Sequence, residues 1–164
     1  MDETVCDAGP LIHLDQLACL DLLEGFAPLL ISETVWREAT RHRTSLSREA
    51  IPGAVIIPDP PSYEPALRAL FRSFDLDAGE RTALGLMANR QASLLLCDDS
   101  AARLAAETLG WAVHGTIGVI MRAIRRGTRT AAQVRETLLS LPQRSSLHLN
   151  PALLQQVVAQ LPPA

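Results

Sequence analysis

The chain has 164 residues, a net charge of −3 and a hydrophobic share of 48%, values typical of a single globular domain around one core. No apolar run approaches the roughly 20 residues that a membrane helix needs, and the acidic start MDETVCDAGP is unlike a secretory signal, so we expect a cytoplasmic protein. All 15 basic residues are arginine, which excludes mechanisms that need a catalytic lysine, and the acidic balance requires any nucleic-acid binding to be local.

Short apolar runs alternate with helical patterns along the chain. This alternation is typical of βαβ units around a mostly parallel sheet. The runs are rich in Val, Ile and Leu, as strands covered on both faces should be. The predicted strands cover residues 4–6, 29–31, 55–57, 94–97 and 112–113.

The predicted helices follow from apolar stripes and capping residues. The first begins at Pro10, carries an apolar stripe as far as Leu22 and ends near Gly25. A proline-rich linker, residues 58–65, leads into a helix over about 66–72, and Asp77 with Glu80 forms a capping box for the next helix. Further helix starts are predicted at Ser32, Asp99, Thr116, Thr130 and Asn150.

Three cysteines, Cys6, Cys19 and Cys97, stand at irregular spacing without a CxxC pair. An odd count with this spacing argues against a disulfide framework and against a zinc site. We therefore expect reduced, buried thiols that pack as small apolar groups.

Acidic residues recur where the predicted strands end and on the helices that follow. Asp7 follows the first strand, Glu38 and Glu80 lie on later helices, and Asp98 with Asp99 closes the fourth strand. In a parallel sheet the carboxyl ends of the strands share one edge, so these carboxylates can converge. Crowded carboxylates raise one another's pKa unless a divalent cation neutralises them, and Mg²⁺ or Mn²⁺ prefers such oxygen ligands. The cluster predicts metal-assisted attack of water on a phosphodiester.

Each of these residues also has a purely structural interpretation. Asp7 fits a turn, Glu38 fits a solvated helix face, and Glu80 completes the capping box with Asp77. Either Asp98 or Asp99 fits the N-cap of the following helix, but one cap does not explain both.

Arginines and histidines supply further candidates. Arg41, Arg43 and Arg103 are candidate contacts for an RNA backbone, as is the later group Arg122, Arg125, Arg126 and Arg129. The alternative is that they are solvated helix ends or, for Arg103, that its charge neutralises Asp99. His13 and His114 are expected near the acidic edge, where a lone histidine is more often structural than a ligand.

Five segments together resemble a PIN domain, and more narrowly the branch related to VapC-type toxin nucleases. They are VCDAGPLIHL, ISETVWREA, LDAGERTALGLM, LLLCDDSAARLA and VHGTIGVIMRAIRRG. The resemblance covers about residues 3–127, followed by a helical extension over about 128–164, all within one domain, residues 1–164. It implies a Rossmann-like, three-layer α/β/α sandwich with a central, mostly parallel sheet of about five strands.

The resemblance also implies a Mg²⁺- or Mn²⁺-dependent ribonuclease that cleaves single-stranded RNA. Position by position, its catalytic residues would be Asp7, Glu38, Glu80 and Asp99, and its metal ligands Asp7, Glu80, Asp98 and Asp99. The implied partners are single-stranded RNA, an antitoxin protein if the chain is the toxin of a pair, and a second copy of the chain in a homodimer.

Two departures from the family pattern favour an alternative function. A small hydroxyl residue often stands two positions after the first aspartate, where this chain has Gly9, and Cys97 replaces the usual threonine of the fourth strand. The alternative is a catalytically weak PIN-type interaction module that acts through partner binding or dimerisation.

Overall fold

A computed structural model of the chain describes residues 2–163. Its single sheet has five strands in the order β3-β2-β1-β4-β5, and every neighbouring pair is parallel. The strands are β1 (Thr4–Cys6), β2 (Leu29–Ser32), β3 (Ala54–Ile57), β4 (Leu94–Leu96) and β5 (Ala112–His114). Helices flank the sheet in a three-layer α/β/α arrangement, so the fold predicted from the sequence is confirmed.

The helices begin, for the most part, where the capping residues predict. Asp77 and Thr130 form capping boxes, while Ser32 and Asn150 accept backbone hydrogen bonds as N-caps. The helices are α1 (Ala8–Gln16), α2 (Glu33–His42), α3 (Pro65–Ser73), α4 (Ala78–Arg90), α5 (Ser100–Thr108), α6 (Thr116–Arg125), α7 (Ala131–Arg144) and α8 (Pro151–Ala159). No helix within residues 2–163 is long and apolar enough to cross a membrane.

The prediction of one continuous first helix is wrong. Helix α1 ends at Gln16, and a separate 3₁₀ helix follows over Leu20–Phe26. Between them Ala18 has φ +54°, a left-handed conformation that no continuing α-helix permits. Leu17, Leu22 and Phe26 are nevertheless buried, so the apolar spacing reflects core positions on two short helices.

The sheet order places a topological switch between β1 and β4. From β1 the chain moves to β2 on one side, whereas β4 connects to β5 on the other side. Helices starting from the two central strands therefore diverge and leave a crevice at the carboxyl ends. The backbone amide of Asp7 donates to Leu96 O at 2.9 Å, which fixes the end of β1 against the end of β4.

The C-terminal helices extend the core beyond the sheet. Helix α7 packs on α6 and on α8, and Leu138 and Leu141 of α7 are almost completely buried. Their neighbour Leu139 has 53% of its surface exposed. Adjacent leucines on α7 thus have opposite environments and provide a matched pair for measuring how α7 contributes to folding.

We expect Leu138→Ala to lower the free energy of unfolding by about 2–5 kcal/mol, because truncation leaves a cavity at a fully buried position. Leu139→Ala should change it by less than about 0.5 kcal/mol, since that side chain is already in solvent. Urea denaturation followed by circular dichroism measures both values. Equal effects of the two variants would show that α7 does not belong to the cooperative core.

Candidate acidic site

A cleft at the carboxyl edge of the sheet brings the predicted acidic residues together. Its lining includes all five carboxylates expected there, and these are Asp7, Glu38, Glu80, Asp98 and Asp99. Asp77, which the sequence pattern predicts only as a helix cap, also lines this cleft. Side chains from α1, α2, α4 and the β4–α5 junction therefore face one another across the topological switch.

Asp7 lies at the bottom of the cleft. It ends β1, stands at the N-cap position of α1 without forming a side-chain cap, and has only 6% of its surface exposed. The pKa of Asp7 is raised from the ordinary 3.8 to about 7, mainly by burial and also by the negative charges of Glu80, Glu38 and Asp77, while a hydrogen bond from the Ala8 amide acts in the opposite direction. Asp7 is therefore a carboxylate whose charge needs compensation.

Cys97 contacts Asp7 directly. Its Sγ lies 3.6 Å from Asp7 Oδ2, in a geometry in which the thiol donates. Burial raises the pKa of Cys97 well above its ordinary value, and the charge of Asp7 adds to the effect, so the group stays a neutral thiol. The cysteine that replaces the usual threonine thus still offers Asp7 a donor, although a weak one.

Glu80 caps helix α4 and also lines the cleft. Its Oε2 accepts from the Asp77 amide at 2.8 Å, which completes the capping box, and only 8% of the residue is exposed. The pKa of Glu80 is raised to about 7, mainly by burial. The hydrogen bond from the Asp77 amide acts to lower the pKa, and the charges of Asp77, Asp99 and Glu38 act to raise it. The capping bond holds this carboxylate at the start of α4, beside the cleft.

Helix α4 is held in place at its first turn. Thr82 Oγ1 lies 2.7 Å from Ser32 Oγ at the end of β2, and it donates to Gly79 O at 2.8 Å. Gly79 in turn gives Glu38 its space, because a Cβ at residue 79 would lie 2.5 Å from Glu38 Oε2. Burial and then the charge of Asp77 raise the pKa of Glu38, while the neighbouring His42 and Arg41 side chains act to lower it.

Asp98 is fully occupied by hydrogen bonds from the protein. Its Oδ1 accepts from the Thr116 amide at 2.7 Å, and its Oδ2 accepts from Thr116 Oγ1 at 2.6 Å. Its Oδ2 also lies 2.7 Å from His13 Nδ1. Burial raises the pKa of Asp98, but the hydrogen bonds from His13 and Thr116 outweigh burial and leave it below the ordinary value. Asp98 is therefore ionised and tied to α1 and α6.

Asp99 is the N-cap of α5. Its Oδ1 accepts from the Ala102 amide at 2.9 Å, while the residue still lines the cleft. The capping role that one of the adjacent aspartates was expected to have thus falls to Asp99. Asp98 has a different structural role, because it accepts hydrogen bonds from His13 and Thr116.

The arginines considered for RNA contact lie outside the cleft lining. Arg103 donates to Cys97 O at 3.1 Å, Arg43 pairs with Asp15 of α1, and Arg41 is exposed. Arg122 stacks 4.4 Å from the Phe26 ring centroid, near the far end of α6. Six residues at 1.5 Å each separate it from Thr116, so it lies about 9 Å further from the cleft along the helix.

A segment from the C-terminal region closes one side of the cleft. Ser146, Leu147 and His148, between α7 and α8, line it together with the carboxylates. Gln16 Oε1 accepts from the Ser146 amide at 2.7 Å and from the Ser145 hydroxyl at 3.1 Å. No sequence pattern predicts this wall, because the segment has no periodicity and its hydrogen bond to Gln16 joins residues about 130 positions apart.

The donors in the cleft fit a hard divalent cation. All five expected ligands and catalytic groups offer carboxylate oxygens, which Mg²⁺ and Mn²⁺ prefer. Burial, with the charges of neighbouring carboxylates, raises the pKa of Asp7 and of Glu80, and a nearby cation would offset both effects. In the part of the chain that the structure describes, no three His, Cys, Asp or Glu side chains form a ready-made ligand group. Glu80, Asp98 and Asp99 are each engaged in hydrogen bonds to other groups of the protein.

Comparisons with known proteins support the same assignment at the level of the family. The sequence profile of the PIN domain family matches residues 3–162, nearly the whole chain. A search of curated proteins finds no match. The family match extends through α7 and α8, well beyond residues 3–127, where the resemblance of the motifs ends.

We expect the metal-free protein to lose stability as the pH rises from about 4 to about 7. The pKa of Asp7 is about 7 in the folded protein and 3.8 in the unfolded chain. Between these pH values the unfolded chain has lost the Asp7 proton while the folded protein keeps it, so rising pH favours unfolding. The full shift corresponds to at most about 4 kcal/mol. Asp7→Asn should therefore be more stable than the wild type at about pH 8, with the difference reduced near pH 5.

Urea unfolding in a chelating buffer across this pH range measures the effect, and Asp75→Asn, at an exposed position, is the control. Parallel stability profiles for the wild type and Asp7→Asn would contradict the buried, uncompensated charge.

Proposed function

The chain belongs to the PIN domain family, whose members are generally nucleases, and we propose that it hydrolyses single-stranded RNA with Mg²⁺ or Mn²⁺ held at the acidic cleft. The observation that carries the proposal is the convergence of Asp7, Glu38 and Glu80 in one cleft, with the pKa of Asp7 and of Glu80 raised to about 7. Carboxylates crowded in this way serve phosphodiester chemistry only when a cation offsets their charge.

Asp7, Glu80 and Asp99 are the residues that would hold the cation. Asp7 lies deepest, while Glu80 and Asp99 face it from the first turn of α4 and the start of α5. A bound divalent cation supplies charge neutralisation for the phosphate and an activated water. The phosphate group of RNA would otherwise meet a cleft of its own charge sign.

Glu38 would orient the attacking water from the α2 side. It is half-buried, its pKa is raised by burial and by Asp77, and Gly79 leaves room for its carboxylate. A carboxylate that retains a proton more readily than usual suits a group that exchanges protons with water. In this proposal Asp98 has a different task, because His13 and Thr116 occupy its oxygens.

RNA as substrate and the toxin role are the narrower parts of the proposal. They rest on the resemblance of the motifs to VapC-type toxin nucleases, which makes an antitoxin protein and a second copy of the chain the candidate partners. The interaction-module alternative becomes the better description if the purified protein binds RNA or a partner but does not cleave RNA.

We expect the purified protein to cleave single-stranded RNA in the presence of Mg²⁺ or Mn²⁺, and we expect this cleavage to stop when EDTA is added. Asp7→Asn should lower kcat/KM at least about 100-fold, because it removes the deepest carboxylate. Asp21→Asn, whose side chain is half exposed and pairs with Arg129 away from the cleft, is the matched control. Cleavage that persists in Asp7→Asn, or that EDTA does not affect, would refute the nuclease proposal.

Gly79→Ala tests the position of Glu38 without removing a charge. The added Cβ would stand 2.5 Å from Glu38 Oε2, so the flexible carboxylate must move. We expect kcat/KM to fall about 10- to 100-fold. The free energy of unfolding should stay the same or rise by up to about 1 kcal/mol, because alanine favours the helix more than glycine does.

Gly118→Ala is the control, because its Cβ would meet His114 at an ordinary 3.5 Å. Unchanged cleavage in Gly79→Ala, with the fold intact by circular dichroism, would show that Glu38 has no role in the reaction.

A further inference from the structure

His13 has one ring nitrogen occupied and the other open. His13 Nδ1 lies 2.7 Å from Asp98 Oδ2, and the two side chains are 13% and 11% exposed. Asp98 also accepts from the amide and the hydroxyl of Thr116, so it is held from two directions. An ionised carboxylate only accepts hydrogen bonds, and His13 Nδ1 must therefore carry the proton.

The other ring nitrogen, His13 Nε2, has no hydrogen-bond partner among residues 2–163. His13 lines the cleft, and the only hydrogen bond of its ring within residues 2–163 is the one at Nδ1. Every fully buried side-chain nitrogen or oxygen within residues 2–163 has a hydrogen-bond partner. Because Nε2 has none, it is not fully buried and is accessible to solvent. In a neutral imidazole that donates through Nδ1, Nε2 is an acceptor.

Gly9 leaves the space in front of this histidine open. Gly9 and His13 are four residues apart on α1 and share a face of the helix. A Cβ at residue 9 would already contact Asp98 Oδ2 at 3.4 Å and His13 Cε1 at 3.7 Å. A hydroxyl residue there would extend further towards both groups, so glycine keeps the histidine accessible from the cleft.

The chemistry of RNA limits what an acceptor in this cleft can bind. Phosphate oxygens and the ring and ester oxygens of the backbone are acceptors, and the ribose 2′-hydroxyl is the one donor that the sugar-phosphate backbone offers. The same hydroxyl is what lets a protein distinguish RNA from DNA. We propose that His13 Nε2 accepts a hydrogen bond from a ribose 2′-hydroxyl and that Asp98 and Thr116 fix its tautomer for this purpose.

This inference rests on the proposed function, since it names how the same cleft selects RNA. His13 is the substrate-contacting residue, and Asp98 is a positioning residue that acts through it. The adjacent aspartates therefore divide their tasks, because Asp99 caps α5 while Asp98 holds the histidine.

The test compares three single strands of one sequence, carrying 2′-hydroxyl, 2′-deoxy or 2′-fluoro sugars. Fluorine favours the sugar pucker of RNA but donates no hydrogen bond, so it separates sugar shape from hydrogen bonding. Binding is measured by fluorescence anisotropy with Ca²⁺ at about pH 8, above the range in which histidine commonly charges. Cleavage of the same strands is measured with Mn²⁺.

We expect the wild type to bind the 2′-hydroxyl strand about fivefold to tenfold more tightly than the deoxy and fluoro strands, as one hydrogen bond allows. His13→Phe keeps a ring in the site but removes the acceptor, so the three strands should bind equally. Asp98→Asn should reduce the preference as well, because an amide can donate to Nδ1 and reverse the tautomer. His114→Phe, at an exposed position outside the cleft lining, should retain it.

The inference is overturned if the wild type binds the fluoro strand as well as RNA, or if His13→Phe keeps the preference while folded by circular dichroism. It is also overturned if His13→Phe weakens all strands equally, which would indicate a contact with water or phosphate. Metal-dependent cleavage in any of these cases leaves the proposed function standing. If the wild type prefers the 2′-hydroxyl strand through His13 but does not cleave RNA with Mg²⁺ or Mn²⁺, this inference is supported and the proposed function is refuted.

Discussion

Repulsion between buried carboxylates at one edge of the sheet is the constraint on which the rest of the site depends. The strand order β3-β2-β1-β4-β5 forces the ends of β1 and β4 side by side, so Asp7 and the Asp98–Asp99 pair meet at the switch point. Helix α4 adds Glu80 from its first turn. Burial is the largest cause of the raised pKa of Asp7, and the negative charges of Glu80, Glu38 and Asp77 add to it.

The fold limits this repulsion by giving most carboxylates a separate hydrogen-bonding task. Glu80 caps α4, Asp99 caps α5, and Asp98 is held by His13 and Thr116. Asp7 lacks such a side-chain cap, and the groups that offset its charge are the Ala8 amide and the weak thiol of Cys97. The cleft therefore contains a deeply buried, poorly compensated carboxylate beside several restrained ones, an arrangement that a divalent cation would stabilise.

The sequence predicted what depends on local signals and on parallel topology. The caps at Ser32, Asp77 and Thr130 are confirmed because a side chain and a nearby amide in the same segment decide them. The meeting of the acidic residues in one cleft follows from the rule that parallel strands end at one edge. The break at Ala18, the His13–Asp98 contact and the wall at Ser146 depend on packing between distant segments, which periodicity does not encode.

The central claim is that the cleft holds a divalent cation against Asp7. Crystals soaked in Mn²⁺ at about pH 8, above the raised pKa of Asp7, test it by anomalous diffraction at the manganese edge. We expect an anomalous peak within coordination distance of the Asp7 carboxylate, with Glu80 or Asp99 as a second ligand. A cleft without a peak at saturating Mn²⁺, in crystals that still diffract, would contradict it.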